Sequence, residues 1–203
     1  MAFHVVYLTG PPASGKTTLC GRLKDKVNPL AIYHYSALLL DHVRSSHSEF
    51  INLSEDDLRK RSAALITSED VAAVDKRLIE MVQHSRTEAH VIIDSHAVTK
   101  ESYGYRITPF AIPLLQALQP TLIVMLYAEA HEIDRRISRS SGGRPLVSKF
   151  EADFHIALQA QVAVSYGLQL GLPIYVYDST DSVDQASENL ASKLNGRVSR
   201  ESA

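Results

Sequence analysis

GPPASGKT, residues 10–17, decides the fold of this 203-residue chain. The stretch matches the pattern G-x-x-x-x-G-K-[ST], and it lies between an apolar run, residues 4–9, and a segment whose apolar residues have helical spacing. Glycine allows backbone conformations in which successive N–H groups turn inward to face an anion. A helix that begins near Lys16 adds the positive end of its dipole. The stretch therefore predicts a phosphate-binding loop for a nucleoside triphosphate, called the P-loop below.

The residue types in the P-loop indicate how a triphosphate and Mg²⁺ are held. We expect the Lys16 ammonium group to reach the outer phosphates and the Thr17 hydroxyl to bind Mg²⁺. Thr18 supports the same turn. The predicted ATP-binding residues are therefore Gly10, Pro11, Pro12, Ala13, Ser14, Gly15, Lys16, Thr17 and Thr18.

Short apolar or β-branched runs alternate with helical patterns along the chain. Their near-continuous apolar character is typical of parallel strands that are buried on both faces. Strand–helix alternation predicts an α/β fold of the P-loop NTPase type, with a five-stranded parallel sheet and helices on both faces. The expected strands lie within residues 4–9, 30–35, 90–94, 121–127 and 173–177.

Apolar residues at helical spacing between the strands predict four helix faces in the core. They are Leu19, Leu23 and Val27; Val71, Val74, Leu78 and Val82; Phe150, Phe154, Leu158 and Val162; and Val183, Ala186, Leu190 and Leu194.

Two regions do not fit a plain crossover between strands. Residues 36–66 are polar and helix-like, and residues 139–149 are basic and rich in Gly and Ser. Both are typical of mobile flaps over a site. We expect a single domain, residues 1–203, with an acceptor-binding insert at 36–66 and a lid at 136–150.

Composition excludes several classes of protein. Hydrophobic residues make up 45% of the chain, charged residues 22%, and the net charge is −2, so no global basic field points to nucleic acid or to a membrane. One cysteine excludes an intramolecular disulfide and a cysteine-cluster metal site. The N-terminus lacks a basic region, and no apolar run approaches the roughly 20 residues of a membrane span. A cytoplasmic protein is expected.

An acidic residue, Asp94, ends the third predicted strand. Ligands of such sheets bind beyond the carboxyl ends of the strands, so Asp94 is expected near the metal or the phosphate acceptor. With Thr17 it forms the predicted Mg²⁺ site, directly or through water.

The remaining motifs favour a kinase over other P-loop proteins. The guanine-reading N-K-x-D element of GTPases is missing, and a motor or AAA-type ATPase is expected to need more chain and further motifs. Arginines on the helix and flap after the fourth strand, Arg136 among them, suit the oxygens of a transferring phosphoryl group. The predicted catalytic residues are Lys16, Asp94, Arg135, Arg139 and Arg144.

The acceptor side is predicted from polar residues that follow the second and third strands. His96 lies two residues beyond Asp94, although a lone histidine is more often structural, and an exposed arginine is usually only solvated. The candidate acceptor-binding residues are Ser36, Arg44, His96, Tyr105 and Arg106.

Taken together, these segments resemble the P-loop nucleoside monophosphate kinases, and among them the archaeal-type adenylate kinases. The resemblance rests on GPPASGKTT at residues 10–18, VIIDSH at 91–96, the stretch KESYGYRITPFAIPLLQALQPTLIVML at 100–126 and AEAHEIDRRISR at 128–139. It implies Mg-ATP as the donor and AMP or another nucleoside monophosphate as the acceptor.

This sequence departs from the family pattern on the acceptor side. Arg106 stands where the family has an apolar residue, the lid lacks acidic partners for its arginines, and residues 36–66 match poorly. Two alternatives therefore stay open: a P-loop kinase of a non-nucleotide small metabolite, and an ATP-binding regulatory module with low turnover.

Overall fold

A five-stranded parallel sheet forms the centre of the structure, a computed structural model that describes residues 3–54, 57, 65–139 and 148–196. Its strands are β1 (Val5–Thr9), β2 (Leu30–His34), β3 (His90–Asp94), β6 (Leu122–Tyr127) and β7 (Ile174–Asp178), in the spatial order β2-β3-β1-β6-β7. A separate antiparallel hairpin is formed by β4 (Val98–Glu101) and β5 (Gly104–Ile107). The predicted sheet is confirmed, whereas the hairpin was not predicted.

Helices connect the strands and cover both faces of the sheet. In the described part of the chain they are α1 (Lys16–Lys24), α2 (Tyr35–Ser46), α3 (Ser68–Ser85), α4 (Ile112–Leu118), α5 (Ala130–Arg139), α6 (Lys149–Leu170) and α7 (Val183–Leu194), with a short 3-10 helix at Ser48–Phe50. None of these helices is both long and apolar enough to span a bilayer.

The core has two layers because alternate residues of each strand point to opposite faces of the sheet. On one face, Tyr7, Ile93 and Met125 pack against α3, α4 and α6. On the other face, Leu8 and Val124 pack against α1 and α7. Burial on both faces explains why the strands lack polar–apolar alternation.

The prediction for α6 was wrong at its N-terminal end. Phe150 and Phe154 are 75% and 43% exposed, and the helix instead buries a face that includes His155, Gln159 and Tyr166. A stripe with strict four-residue spacing rotates by about 40° at each step because an α-helix has 3.6 residues per turn. The predicted stripe therefore winds from the solvent side towards the core. Elsewhere the predicted faces are largely buried, but Val71 is 36% exposed.

The region between β2 and α3 has a small core of its own. Leu40 and Val43 of α2 pack with Leu53 and Leu65. A buried carboxylate, Asp70, joins this region to the start of α3. Its Oδ1 accepts hydrogen bonds from the Nε2 atoms of His42 and His47, at 3.1 and 3.0 Å, and its Oδ2 accepts from the Thr67 backbone and hydroxyl.

Candidate functional site

The P-loop connects β1 to α1 through backbone conformations that few residues adopt. Gly10, Ala13 and Gly15 have φ values of +149°, +62° and +92°. A Cβ atom on Gly10 would lie 2.1 Å from the main-chain oxygen of Leu126, so only glycine fits there. Gly15 caps α1, whose first residue is Lys16. Left-handed residues next to a helix N-terminus turn backbone N–H groups towards one anion.

The side chains of the loop suit a triphosphate. Lys16 Nζ donates to the main-chain oxygens of Gly10 and Pro11, at 2.8 and 3.3 Å, which holds the ammonium group over the loop. Thr17 and Thr18 are exposed at the start of α1. Ser14 Oγ is fully buried and has no hydrogen-bond partner among the described residues. A loop of this shape and charge fits phosphate oxygens.

Asp94 lies at the carboxyl edge of the sheet, between the P-loop strand and β2. In the parallel register it pairs with Leu8 on one side and with His34 on the other. Its Oδ2 accepts a hydrogen bond from His34 Nδ1 at 2.8 Å. Burial acts to raise the pKa of Asp94, but the His34 hydrogen bond and the positive charge of Lys16 outweigh it, and the pKa is lowered. Asp94 is therefore an ionised carboxylate within the electrostatic reach of the P-loop lysine.

A second contact to the P-loop comes from Arg136 on α5. Its guanidinium group donates to the main-chain oxygen of Ala13 at 3.1 Å and to the main-chain oxygen of Ser179, which follows β7. The Ser179 hydroxyl donates to the main-chain oxygen of Ser14 at 2.7 Å. Buried Glu132 accepts from Arg136 Nε at 2.6 Å and orients the guanidinium group. These contacts hold the P-loop residues Ala13 and Ser14 against α5 and the residue that follows β7.

The other predicted arginines occupy different positions. Arg135 pairs with the same Glu132, and its side chain is 54% exposed. The hydrogen bond from Arg135 lowers the pKa of Glu132, burial opposes it, and Arg136 adds to the lowering. Arg139 is exposed at the end of α5. Arg144 lies outside the described residues, with most of the predicted lid.

The predicted acceptor residues are divided among α2, the residues directly after β3, and the hairpin. Ser36 is exposed in the first turn of α2, and His96 is exposed just beyond Asp94. Arg44 Nε donates to the main-chain oxygen of Leu53 and so supports the small core after β2. The remaining two, Tyr105 and Arg106, lie on the hairpin strand β5.

The hairpin is attached to α6 rather than to the sheet. The Tyr105 hydroxyl donates to the main-chain oxygen of Glu151 at 2.7 Å, and the Tyr105 ring packs against Phe154 and His155. Arg106 Nε donates to Glu101 of the neighbouring strand at 2.9 Å. Lys100 forms an ion pair with Glu151. Tyr105 thus has a packing role besides any contact with an acceptor.

A buried hydrogen-bond path joins the hairpin to the strand that precedes the P-loop. Gln159 on α6 is fully buried, accepts from the Val98 backbone N–H and donates to the Thr9 hydroxyl at 2.8 Å. His155 Nε2 donates to the main-chain oxygen of Val98 at 3.0 Å. Thr9, directly before the P-loop, and Val98, two residues after His96, are therefore both hydrogen-bonded to α6.

Sequence reasoning missed His34, Gln159 and Ser179, and did not single out Arg136. A signal existed for two of them, because His34 ends β2 and Ser179 follows β7, and carboxyl ends of parallel strands meet at one edge. Gln159 and Arg136 gave no comparable signal, since their contacts depend on how α6 and α5 pack.

The predicted Mg²⁺ site consists of groups that this cation favours. The Thr17 hydroxyl and the Asp94 carboxylate supply oxygen, and Mg²⁺ usually keeps several waters and binds substrate phosphates rather than a cage of protein ligands. Among the described residues, no cluster of three or more His, Cys, Asp or Glu side chains is arranged to hold a metal ion.

The P-loop, the sheet order and the position of Asp94 define a P-loop nucleotide-binding fold. A family model described as an AAA domain matches residues 9–151, and the chain belongs to this family. The matched residues include the P-loop, Asp94 and the hairpin.

Three solved structures with the same fold are described as kinases, one of them as a putative kinase. A sugar kinase from Janibacter sp. HTCC2649 aligns with a TM-score of 0.56 at 18% identity, over 95% of each chain. Thymidylate kinase from Candida albicans aligns at 0.53 and 15% identity, over 97% of this chain and 93% of that one. A putative kinase from Chloroflexus aurantiacus aligns at 0.50 and 16% identity, over 97% and 98%. At these identities the similarity establishes the fold, which is that of small P-loop kinases.

Proposed function

We propose that the protein transfers the γ-phosphoryl group of Mg-ATP to a small acceptor, a nucleoside monophosphate with AMP favoured. The observation that carries this proposal is the position of Asp94. An ionised carboxylate, oriented by His34, lies beside the P-loop on the side where β2 and β3 leave the sheet. A carboxylate in this position can orient the waters of a bound metal or accept a proton from an attacking hydroxyl or phosphate group.

The donor side follows from the P-loop contacts. Backbone N–H groups of residues 13–18, which follow the two prolines of the loop, are proposed to bind the phosphates, and Lys16 neutralises charge on the outer ones. Bound Mg²⁺ would supply further charge neutralisation, with Thr17 and Asp94 as its protein ligands or the partners of its waters. Arg136 holds the P-loop in its conformation. Arg135 on α5, and Arg139 and Arg144 in the lid, residues 136–150, are proposed to face the transferring group.

Asp94 has two possible roles, and both require the ionised form. It either orients the waters around the metal or accepts the proton of the attacking group. The hydrogen bond from His34 and the charge of Lys16 keep it ionised at neutral pH. Phosphoryl transfer depends mainly on in-line positioning and charge neutralisation, so no covalent nucleophile is needed.

The acceptor is proposed to lie between residues 36–66 and the hairpin. Ser36, Arg44, His96, Tyr105 and Arg106 are the candidate contacts. The preference for AMP rests on the resemblance to archaeal-type adenylate kinases.

Arg106 favours a second candidate, phosphorylation of a non-nucleotide metabolite. Its guanidinium group, held by Glu101 on the hairpin, suits an additional anionic group on the acceptor.

The test measures phosphoryl transfer from labelled ATP to AMP, CMP and UMP, and in parallel to sugars and hydroxy acids. We expect AMP to be the best acceptor and Lys16→Ala to abolish transfer. Lys24→Ala, which changes an exposed lysine at the other end of α1, is the matched control and retains activity.

Three outcomes would change the assignment. Full activity of Lys16→Ala refutes the donor site. Transfer only to a sugar or hydroxy acid selects the second candidate. Tight ATP binding without transfer to any acceptor points to a regulatory module.

A further inference from the structure

The outer face of α6 carries a largely apolar stripe that is exposed along its length, although the Tyr105 ring packs against one side of Phe154. Its members are the apolar residues Phe150, Phe154, Ala157, Val164 and Leu168 and the polar but uncharged Gln161. All of them are exposed, Phe150 and Leu168 by 75% and 78%. Intervals of four, three, four, three and four residues match the 3.6-residue repeat of a helix. The stripe therefore runs straight along the helix for about 27 Å. Exposed apolar surface of this extent marks an interaction site.

The surface around the stripe is also unusually poor in charge. Residues 156–172 contain no acidic or basic side chain, although they include 15 of the 22 residues of α6, a helix with one face at the surface. Charged residues occur only near the N-terminal end of the helix, where Lys149 and Asp153 flank the stripe. A solvated helix face usually carries charged residues, so this surface is suited to burial.

The order of residues in the stripe reads symmetrically about its centre. Two copies of α6 laid antiparallel and centred on residue 159 bring Phe150 against the partner's Leu168 and Phe154 against the partner's Val164. In the middle, the long side chain of Gln161 meets the small Ala157. Such self-complementarity is what a two-fold symmetric interface requires.

Charge selects the antiparallel arrangement. It places Lys149 and Asp153 opposite the uncharged Gln169 and Ser165 of the other copy. A parallel arrangement would instead bring each of these charges against its own equivalent, which is unfavourable.

An apolar groove beside α6 enlarges the surface. It has a volume of about 400 Å³, and its lining includes Ile107, Leu158, Val162, Ser165 and Gln169. A single helix face is smaller than the roughly 800 Å² per partner of a typical stable interface. The groove adds apolar area on one side of the stripe.

We propose that the protein forms a two-fold symmetric homodimer through antiparallel packing of α6 against α6 of a second copy. The proposal is independent of the reaction assigned above.

The first test measures the mass of the full chain in solution by sedimentation velocity from about 1 µM to 500 µM, a range that covers weak and moderate dimers. We expect a concentration-dependent dimer. Phe150→Glu and Leu168→Lys should each weaken dimerisation at least tenfold. Both changes place charge favourably for the helix dipole, so folding is preserved, and circular dichroism checks this. An equimolar mixture of the two variants should dimerise again, because the carboxylate introduced in one copy then faces the ammonium group introduced in the other.

Val176→Lys is the matched control, since Val176 is 54% exposed and lies on the edge strand β7 rather than on α6. It should leave the dimer intact. The proposal is overturned if the wild-type chain stays monomeric throughout, if the mixture does not recover the dimer, or if Val176→Lys weakens it as much as the stripe variants.

Disulfide trapping provides a second measurement that does not depend on those variants. Phe150→Cys and Leu168→Cys chains, mixed and oxidised, should form a bond between the two different variants. Cys20 is buried and should not take part. Links between identical variants alone would show a parallel arrangement and refute the proposal.

Discussion

Arg136 Nη1 lies 3.1 Å from the main-chain oxygen of Ala13 and donates a hydrogen bond to it. Ala13 is the left-handed residue in the middle of the P-loop, so this contact connects α5 directly to the phosphate-binding backbone. Because Ser179 accepts from the same guanidinium group, three distant segments meet at one side chain. An arginine that the sequence associates only with the lid therefore also shapes the donor site.

Arg136→Met should weaken ATP binding about tenfold or more, because hydrogen bonds from a charged group contribute roughly 1.5–3 kcal/mol and the loop loses its outer support. Isothermal titration calorimetry with a non-hydrolysable ATP analogue measures the change. Arg22→Met, which removes an exposed ion pair with Asp184, is the control and should alter affinity little. Equal losses in both variants would contradict the role of Arg136.

Asp94→Asn should lower the transfer rate at least a hundredfold at pH 7.5, of the order found when a general base is lost, while ATP still binds. Asp25→Asn, an exposed change at the end of α1, serves as the control.

Because the pKa of Asp94 is lowered, its titration should not reduce the wild-type rate until the pH falls below about 4. Steady-state rates across pH check both statements, and a fully active Asn variant would remove Asp94 from the reaction.

Gly15→Ala should abolish donor binding. Gly15 has a φ of +92°, and a Cβ atom there would lie 2.9 Å from Val183 Cγ2, so the loop must shift.

Gly21→Ala, within the helix α1 that Gly15 caps, is the opposite case, since a Cβ at Gly21 meets nothing within 4 Å. It should raise stability by about 0.5–1 kcal/mol. Thermal denaturation with and without ATP distinguishes the two, and normal ATP binding by Gly15→Ala would refute the geometry.

Asp70→Asn should reduce the free energy of unfolding by about 2–4 kcal/mol. In either orientation of the amide, its nitrogen faces two donors, those of Thr67 or those of His42 and His47, and cannot accept from them. Burial alone would raise the pKa of Asp70, but bonds from Thr67 and His47 lower it. A lowered pKa stabilises the fold above the unfolded value of about 3.9 and loses that contribution as the pH falls through the folded value.

Urea unfolding from pH 8 down to pH 3 tests this pH dependence. The difference between wild type and Asp70→Asn should persist down to about pH 4 and shrink only below it. Asp41→Asn on the exposed side of α2 should show no such difference. If the difference in unfolding free energy between wild type and Asp70→Asn disappears already near neutral pH, the ionised Asp70 carboxylate does not account for it.

Arg106→Leu should change the Michaelis constant for the acceptor, or the choice of acceptor, and leave ATP affinity unchanged. The substitution also leaves Glu101 without this ion pair, so the double variant Arg106→Leu, Glu101→Gln separates the two effects. Kinetics with both substrates varied provide the measurement. A change confined to the Michaelis constant for ATP would place Arg106 on the donor side.

Prediction from sequence succeeded where local pattern decides structure. The P-loop and the five strands were located correctly because they are predicted by local patterns. The spacing of the glycines, the position of Lys16 and the continuous apolar runs each extend over only a few residues. The hairpin at Val98–Ile107 was missed because its strands have four residues each, include charged side chains and pack on a helix rather than in the sheet. The exposed position of Phe150 was missed for a related reason, since spacing alone does not say which side of a helix meets the core.

The amino-acid sequence by itself determined that this chain has a P-loop on a parallel sheet, with an acidic residue at the edge where ligands bind. Only the tertiary structure decided that His34 meets Asp94, that Arg136 supports Ala13, and which face of α6 remains exposed. These relationships join residues that are far apart in the chain. They depend on the register of neighbouring strands and on the rotation of helices against the sheet, which no short pattern of residues encodes.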